Sequence, residues 1–225
     1  VLKKMILAVL FSGGKDSCLA LHKALKEGHE VKYLLTMMPE TQESFMFHAP
    51  NLGLITKQAE MLDIEIIFQA TKAEKEKELE DLVTLIKTVV GKVDGVCVGG
   101  IASNYQGSRV KKICVELGLK FYAPLWNYSP DEVWKGLFEN DFKVILIKIA
   151  CEGLDESFLG KTFDKSLFDK MRTLSQQYKF RIDFEGGEAE SAVLDMPEFK
   201  KEIKLRGEII KEGEYNSLLK IKSIK

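Results

Sequence analysis

The sequence predicts an α/β protein in which a largely parallel sheet, with helices on both faces, is followed by a smaller C-terminal α+β lobe. Three observations lead there. From residue 5 to residue 150, apolar runs of strand length alternate with segments of helical periodicity. The first run, Met5–Phe11, is apolar throughout, which marks a strand covered on both faces. After residue 152 the alternation gives way to a helix, a turn rich in Gly and Glu, and two closing strands.

In order, Met5–Phe11 is the first strand, and Asp16–Gly28 follows as a helix. Its Cys18, Leu19, Leu21, Ala24 and Leu25 fall at helical spacing, and Gly28 ends it. Val31–Met38 is the second strand, Pro39–Asn51 a long turn-like stretch, and Leu52–Asp63 a helix. Ile64–Gln69 reads as a strand, and Glu74–Val90 as an amphipathic helix whose alternating Lys and Glu make a solvated face. Gly95–Val98 is a strand running into Gly99-Gly100. A helix from Ser103 to Leu117 and a short strand, Lys120–Ala123, follow. Ser129 and Glu132 form a helix-opening capping box, and Phe142–Ala150 is a further strand. Beyond it come a helix, Lys165–Tyr178, and strands Glu202–Lys211 and Leu218–Ile224, joined by a turn at Gly213–Asn216. There is no internal repeat. With 225 residues the chain is large for one domain and small for two, so the expected division is 1–151 and 152–225.

Composition narrows the function classes. Hydrophobic residues make up 45%, enough for a core and too many for a disordered chain. Thirty-three basic and 34 acidic residues leave a formal net charge of −1, which argues against a broad nucleic-acid-binding face. Cys18, Cys97, Cys114 and Cys151 are scattered, with no C-x-x-C pair. A zinc site or a disulfide framework is therefore not expected, and a reducing cytoplasm fits. Lys3-Lys4 before an apolar run looks superficially like a secretory leader. Only seven apolar residues precede Ser12, with no small-residue cleavage site, so a buried strand is expected instead. No run approaches the roughly 18 apolar residues of a membrane span.

The chemistry concentrates at Ser12-Gly13-Gly14-Lys15-Asp16-Ser17, between the first strand and the first helix. There the free N–H groups and positive end of a helix face whatever sits above the strand. Two glycines admit phosphate oxygens close to the backbone, Ser12 and Ser17 add hydroxyls, and Lys15 adds a point charge. Asp16 is a candidate Mg²⁺ ligand. The spacing is not that of a Walker A loop, which would need Gly where Val9 stands and Ser or Thr where Asp16 stands. Nor is it a dinucleotide fingerprint, since no G-x-G-x-x-G is present. Gly99-Gly100 follows a buried strand at the edge where such sheets bind ligands, and Ser103, Tyr105, Gln106 and Arg109 open the next helix. Glu185, Glu188 and Glu190 surround Gly186-Gly187. Such a group would repel phosphates and suits a cation such as ammonium, Mg²⁺ or an amine. His48 is the one His outside a predicted helix or helix end, while His22 and His29 read as structural.

S-G-G-K-D-S resembles the pyrophosphate loop of the N-type ATP pyrophosphatases, which include GMP, NAD and asparagine synthetases and several tRNA-modifying enzymes. Further segments resemble the diphthine–ammonia ligases within that superfamily. These are Met46–Asn51, Gln58-Ala59-Glu60, Gly99–Gln106 with Arg109, Pro124-Leu125-Trp126 and Glu185–Ser191. The resemblance spans residues 5 to about 200. It departs at Phe184, Ala189 and Ser191, where the family usually has Gly, an aromatic residue and Thr.

The resemblance implies a Rossmann-like, adenine-nucleotide-α-hydrolase-like fold and an amide ligase that splits ATP to AMP and pyrophosphate. It assigns Lys15, Asp16 and His48 to catalysis. ATP binding would fall to Ser12, Gly13, Gly14, Lys15, Asp16, Ser17, Gly99, Gly100, Ser103, Tyr105 and Gln106, with Mg²⁺ at Asp16. Asn51, Gln58, Glu185, Gly186, Gly187, Glu188 and Glu190 would bind the acceptor and ammonia. Residues 1–151 would then hold ATP and 152–225 the acceptor. The implied partners are the diphthine residue of translation elongation factor 2 and free ammonium, with no stable nucleic acid and no membrane; a homodimer stays open. Two rival readings also stay open at this point, a tRNA-modifying enzyme that adenylates a base oxygen and a nucleotide-binding protein without turnover.

Overall fold

The computed structural model describes residues 3–39, 52–71, 77–100 and 104–225. The chain forms two units, Val1–Asn127 and Tyr128–Lys225.

In the first unit, β1 (Ile6–Leu10), α1 (Lys15–Lys26), β2 (Glu30–Pro39), α2 (Leu52–Leu62) and β3 (Glu65–Thr71) come first. They are followed by α3 (Lys77–Lys87), β4 (Gly95–Cys97), α4 (Asn104–Glu116) and β5 (Lys120–Tyr122). All five strands are parallel, in the order β3-β2-β1-β4-β5. A parallel neighbour cannot be reached by a tight turn, so a helix accompanies each crossover. The continuous apolar run of β1 has the consequence its composition dictates: Leu7, Ala8 and Val9 are all fully buried, although alternate residues point to opposite faces. On one face, Ala8, Tyr33, Leu35 and Val96 share a core with Leu82, Leu85, Ile86 and Val89, and with Val110, Ile113 and Cys114 of α4. The residues between 82 and 89 repeat at i, i+3, i+4 and i+7. Thr84, Lys87 and Thr88 between them stay in solvent, as an amphipathic helix on a sheet requires, while Glu78 at its start is fully buried.

The chain leaves β1 toward β2 and β3, then returns to the other side of β1 to lay down β4 and β5. The order thus reverses between β1 and β4. In open α/β sheets the crevice at that reversal, beyond the carboxyl ends of the strands, is where ligands bind.

The second unit contains α5 (Pro130–Glu139), β6 (Lys143–Ala150), a 3₁₀ turn (Glu156–Phe158), α6 (Lys165–Tyr178), β7 (Ala189–Asp195), β8 (Leu205–Lys211) and β9 (Asn216–Ile224). Its strands form an antiparallel sheet in the order β7-β6-β9-β8. The capping box opens α5 as expected. Ser129 Oγ accepts the Glu132 N–H at 3.3 Å, and a Glu132 carboxylate oxygen accepts the Ser129 N–H at 2.7 Å. Asp164 caps α6, and Lys179 ends it in the left-handed conformation. The core here is aromatic. Trp134, 1% exposed, lies against Phe138, Phe163, Phe168 and Phe184, and its indole N–H donates to the Ile182 carbonyl at 2.8 Å.

Two expectations need correction. The division falls between residues 127 and 128 rather than at 151, because β6 pairs with β7 and β9 instead of joining the parallel sheet. A strand at Ala189–Asp195 stands where the sequence suggested only a turn. The expected turn-like stretch 39–51 lies almost wholly outside the described residues.

Candidate active site

The loop from Phe11 to Gly14 converts the carboxyl end of β1 into the start of α1. A buried Thr36 hydroxyl, donating to the Phe11 carbonyl at 2.7 Å, anchors its entry. Gly13 takes φ +72°, a conformation open to glycine and strained for other residues. Gly14 is the N-cap of α1 in extended conformation, and no side chain caps the helix. No N-cap side chain therefore stands at the positive end of the helix, where an anion is favoured. Ser17 Oγ knits the loop together. It accepts the Ser12 N–H at 3.3 Å, lies 3.2 Å from Ser12 Oγ, and donates to the Gly14 carbonyl at 3.1 Å.

Lys15 is 1% exposed, and its ammonium lies 2.6 Å from a carboxylate oxygen of Asp16. Burying a charge is costly unless it is paired, and Asp16 supplies the pair. Asp16 itself is partly open, its side chain 24% exposed, so one carboxylate faces outward beside a lysine and a set of amides. Among the described residues no three His, Cys, Asp or Glu side chains group to hold a metal ion. One carboxylate plus phosphate oxygens is nonetheless a donor set that Mg²⁺ accepts, so Asp16 fits that ion once a polyphosphate is present.

The end of β4 closes on the same place. A Cβ at Gly99 would lie 2.7 Å from the Ser17 nitrogen and 2.8 Å from the Asp16 carbonyl carbon, so only glycine lets the two backbones touch. Gln58 also reaches the loop, from α2, its Nε2 donating to the Gly13 carbonyl at 2.9 Å. The structure thus brings together residues 12–17, Gln58 and Gly99, with Gly100 next to it, at the reversal in strand order. His48, Asn51 and Ser103 lie outside the described residues. Tyr105 and Gln106 fall in the first turn of α4, and their side chains also lie outside what is described. His29 is structural, its Nδ1 accepting the Met5 N–H at 3.2 Å, as expected.

In the second unit, the Glu185–Glu190 block is not a set of three bare carboxylates. Glu188 turns back on its own loop and accepts the N–H groups of Gly186 at 2.9 Å and Arg181 at 3.2 Å. Glu190 pairs with Lys148 across β6 and β7 at 3.5 Å. Asp183, which sequence reasoning missed, takes both ends of the Arg181 guanidinium and the Glu185 N–H. Glu185 is the exposed carboxylate of the three. Phe184 keeps φ +64° and is buried against Trp134, and Ala189 is buried opposite Ile149. These two of the three departures are therefore core positions. Burial also governs the thiols. Desolvation pushes Cys97 far above its ordinary range, helped by Glu27, and raises Cys114 and Cys151 to about 11.

Fold and site together define a class: an α/β protein whose uncapped helix, glycine pair and buried lysine form a phosphate-binding loop at the switch point of a parallel sheet. Residues 5–121 match the diphthamide synthase N-terminal domain and residues 129–225 the diphthamide synthase C-terminal domain. The chain belongs to the diphthamide synthase family. Its relatives include the diphthine–ammonia ligases of Mus musculus, 33% identical over 220 residues, and Homo sapiens, 34% identical over 221 residues. Each alignment covers 88% of this chain and 82% of the relative. The Schizosaccharomyces pombe diphthine–ammonia ligase is 35% identical over 214 residues, 87% of this chain and 35% of that longer protein.

Proposed function

We propose that this chain is an ATP-dependent, AMP-forming diphthine–ammonia ligase acting on translation elongation factor 2 with ammonium as the nitrogen donor. The loop at the start of α1, with Lys15 buried inside it and no side chain capping the helix, is the observation that carries the reading. In this mechanism the amides of the loop and Lys15 hold the β- and γ-phosphates, and Asp16 would ligate Mg²⁺, which neutralises phosphate charge when bound. A carboxylate oxygen of diphthine attacks the α-phosphorus, the bond to the β-phosphate oxygen breaks, and pyrophosphate leaves. Ammonia then attacks the acyl carbon of the adenylate, AMP departs, and the nitrogen loses its extra proton to give the amide. The protein's contribution is placement of carboxylate and phosphorus in line, together with charge neutralisation on the leaving group.

Gly99, Gly100, Ser103, Tyr105 and Gln106 complete the nucleotide site in this reading. His48, Asn51 and the exposed Glu185 with Gly186 and Gly187 serve the acceptor and ammonia. No described helix is long and apolar enough to cross a membrane, and a cytoplasmic location suits a substrate that works in translation. Thiolation of tRNA would need a reactive cysteine, whereas burial holds three of the thiols protonated.

The test is pyrophosphate release from ATP with ammonium and diphthine-bearing elongation factor, set against tRNA as the alternative acceptor. The elongation factor stimulates release, and Lys15→Ala lowers it by roughly a hundredfold or more, the scale of one lost charge-stabilising group. Stimulation by tRNA alone, or tight ATP binding without any release, would overturn the assignment.

A further inference from the structure

We infer that Gln58 is a positioning residue of the phosphate loop, holding the Gly13 peptide so that the N–H groups beyond it face a triphosphate. The inference rests on reading that loop as the nucleotide site. Gln58 sits on the buried face of α2 with Leu54, Ile55, Ala59 and Met61, and is itself 0% exposed. A polar amide among apolar neighbours is costly unless its hydrogen-bonding groups are used. Its Nε2 donates at 2.9 Å to the carbonyl of Gly13, a residue 45 positions away.

The fit is mutual. A Cβ built on Gly13 would lie 2.0 Å from Gln58 Oε1 and 2.9 Å from its Cδ, so the amide fills the space that a side chain at position 13 would take. Gly13 must therefore be glycine twice over, once for its φ of +72° and once for Gln58.

The peptide between Gly13 and Gly14 is trans, so the Gly14 N–H points opposite to the Gly13 carbonyl. Drawing that carbonyl back toward α2 turns the N–H away from α2, where it donates to Ser12 Oγ at 3.4 Å. The reverse orientation would aim the negative end of a carbonyl outward, against the phosphate the loop is built to receive. Gln58 thus acts through the backbone. Because it is fully buried, its part is not the acceptor contact that the sequence suggested.

Gln58→Leu and Gln58→Glu, beside wild type and Lys15→Ala, test this by calorimetric titration with ATP and Mg²⁺ across pH. Gln58→Leu binds ATP roughly tenfold more weakly at every pH, the effect of one lost buried hydrogen bond. Gln58→Glu is at least as weak near pH 8, where a carboxylate has no proton to donate. It recovers toward wild type near pH 5.5, since burial raises the carboxyl pKa and the acid O–H donates to Gly13. A packing role alone would give no such recovery. Both variants within about twofold of wild type, or Gln58→Glu folded but unrecovered in acid, would overturn the inference. If Lys15→Ala is weakened while both Gln58 variants are unchanged, only this inference falls. If wild type fails to bind ATP, the reading of the loop falls with it.

Discussion

Replacing Gly99 with alanine probes whether the end of β4 and the start of α1 form one site. The added Cβ would stand 2.7 Å from the Ser17 nitrogen, 2.8 Å from the Asp16 carbonyl carbon and 2.9 Å from the Ser17 Cα, where ordinary contact begins at 3.4 Å. All three are backbone atoms of the turn proposed to present N–H groups to a phosphate. They cannot rotate aside as the tip of a side chain could, so the first turn of α1 must retreat by several tenths of an ångström. Overpacking of this kind costs about 1–3 kcal/mol, a fall in unfolding midpoint of roughly 4–11 °C for a unit this size. The catalytic cost is larger in proportion, because a misplacement of about 1 Å can lower a rate roughly a hundredfold. Gly118→Ala is the control. Gly118 has a φ of +70°, which penalises alanine, but nothing lies within 4 Å of its would-be Cβ, so that variant loses stability without moving the loop. Calorimetric unfolding and pyrophosphate release, measured well below the midpoint of each variant, separate the two effects. Gly99→Ala should release pyrophosphate between about tenfold and a hundredfold more slowly, with Gly118→Ala near wild type. A folded Gly99→Ala protein turning over like wild type would refute the placement of the site at the β1–β4 reversal.

Four further outcomes follow from the geometry. Ser129→Ala removes the cap of α5 and should lower stability by about 1 kcal/mol, read as a shift in urea midpoint; no shift would mean that the two bonds of the capping box contribute nothing net. With Cys114 and Cys151 raised to about 11, the native chain should react slowly with a thiol reagent at pH 8 and rapidly once unfolded. The native state keeps these protons while the unfolded chain releases them near pH 9, so the thiols' contribution to stability falls from about pH 9 to about pH 11 and then levels; a urea midpoint rising across that window would contradict the sign. Phe184→Gly relieves a left-handed backbone worth about 1–2 kcal/mol but removes a buried ring worth about 3–5 kcal/mol, so it should destabilise by about 1–4 kcal/mol in urea titration, and a gain in stability would reverse the ordering of those two effects.

How much of this was legible in the sequence follows from how local each signal is. The β1–loop–α1 passage was readable because one short stretch holds all of it: an apolar run, two glycines and a helical stripe ending at Gly28. The parallel sheet followed from repetition of that unit. The failure at β6 has a physical reason. Val144, Ile145 and Leu146 are buried because β6 is an inner strand of an antiparallel sheet, and a strand buried on both faces has the same composition whichever sheet surrounds it. β7 was hidden because Ala189–Asp195 opens inside the Glu-rich block and owes its extended form to pairing with β6, about 45 residues earlier in the chain. Gln58 could be picked out as a polar residue on an apolar helix face, but its partner, a backbone carbonyl in a distant loop, is invisible to any spacing rule.

The acidic turn carries the same lesson into the chemistry. By composition, Glu185, Glu188 and Glu190 make a negative pocket suited to a cation. Yet a carboxylate near free N–H groups is drawn to them first, and a tight turn through Gly186-Gly187 creates such groups. Glu188 satisfies two of them, Asp183 takes a third together with Arg181, and Glu190 is neutralised by Lys148. Much of the charge that seemed available for ammonium thus shapes the turn. Phe184 extends the argument: it holds a left-handed backbone and offsets the strain by packing its ring on Trp134. In the proposed ligase, an acceptor contact in this turn is therefore to be tested at exposed Glu185 and Gly186 rather than at the buried Phe184 or Ala189.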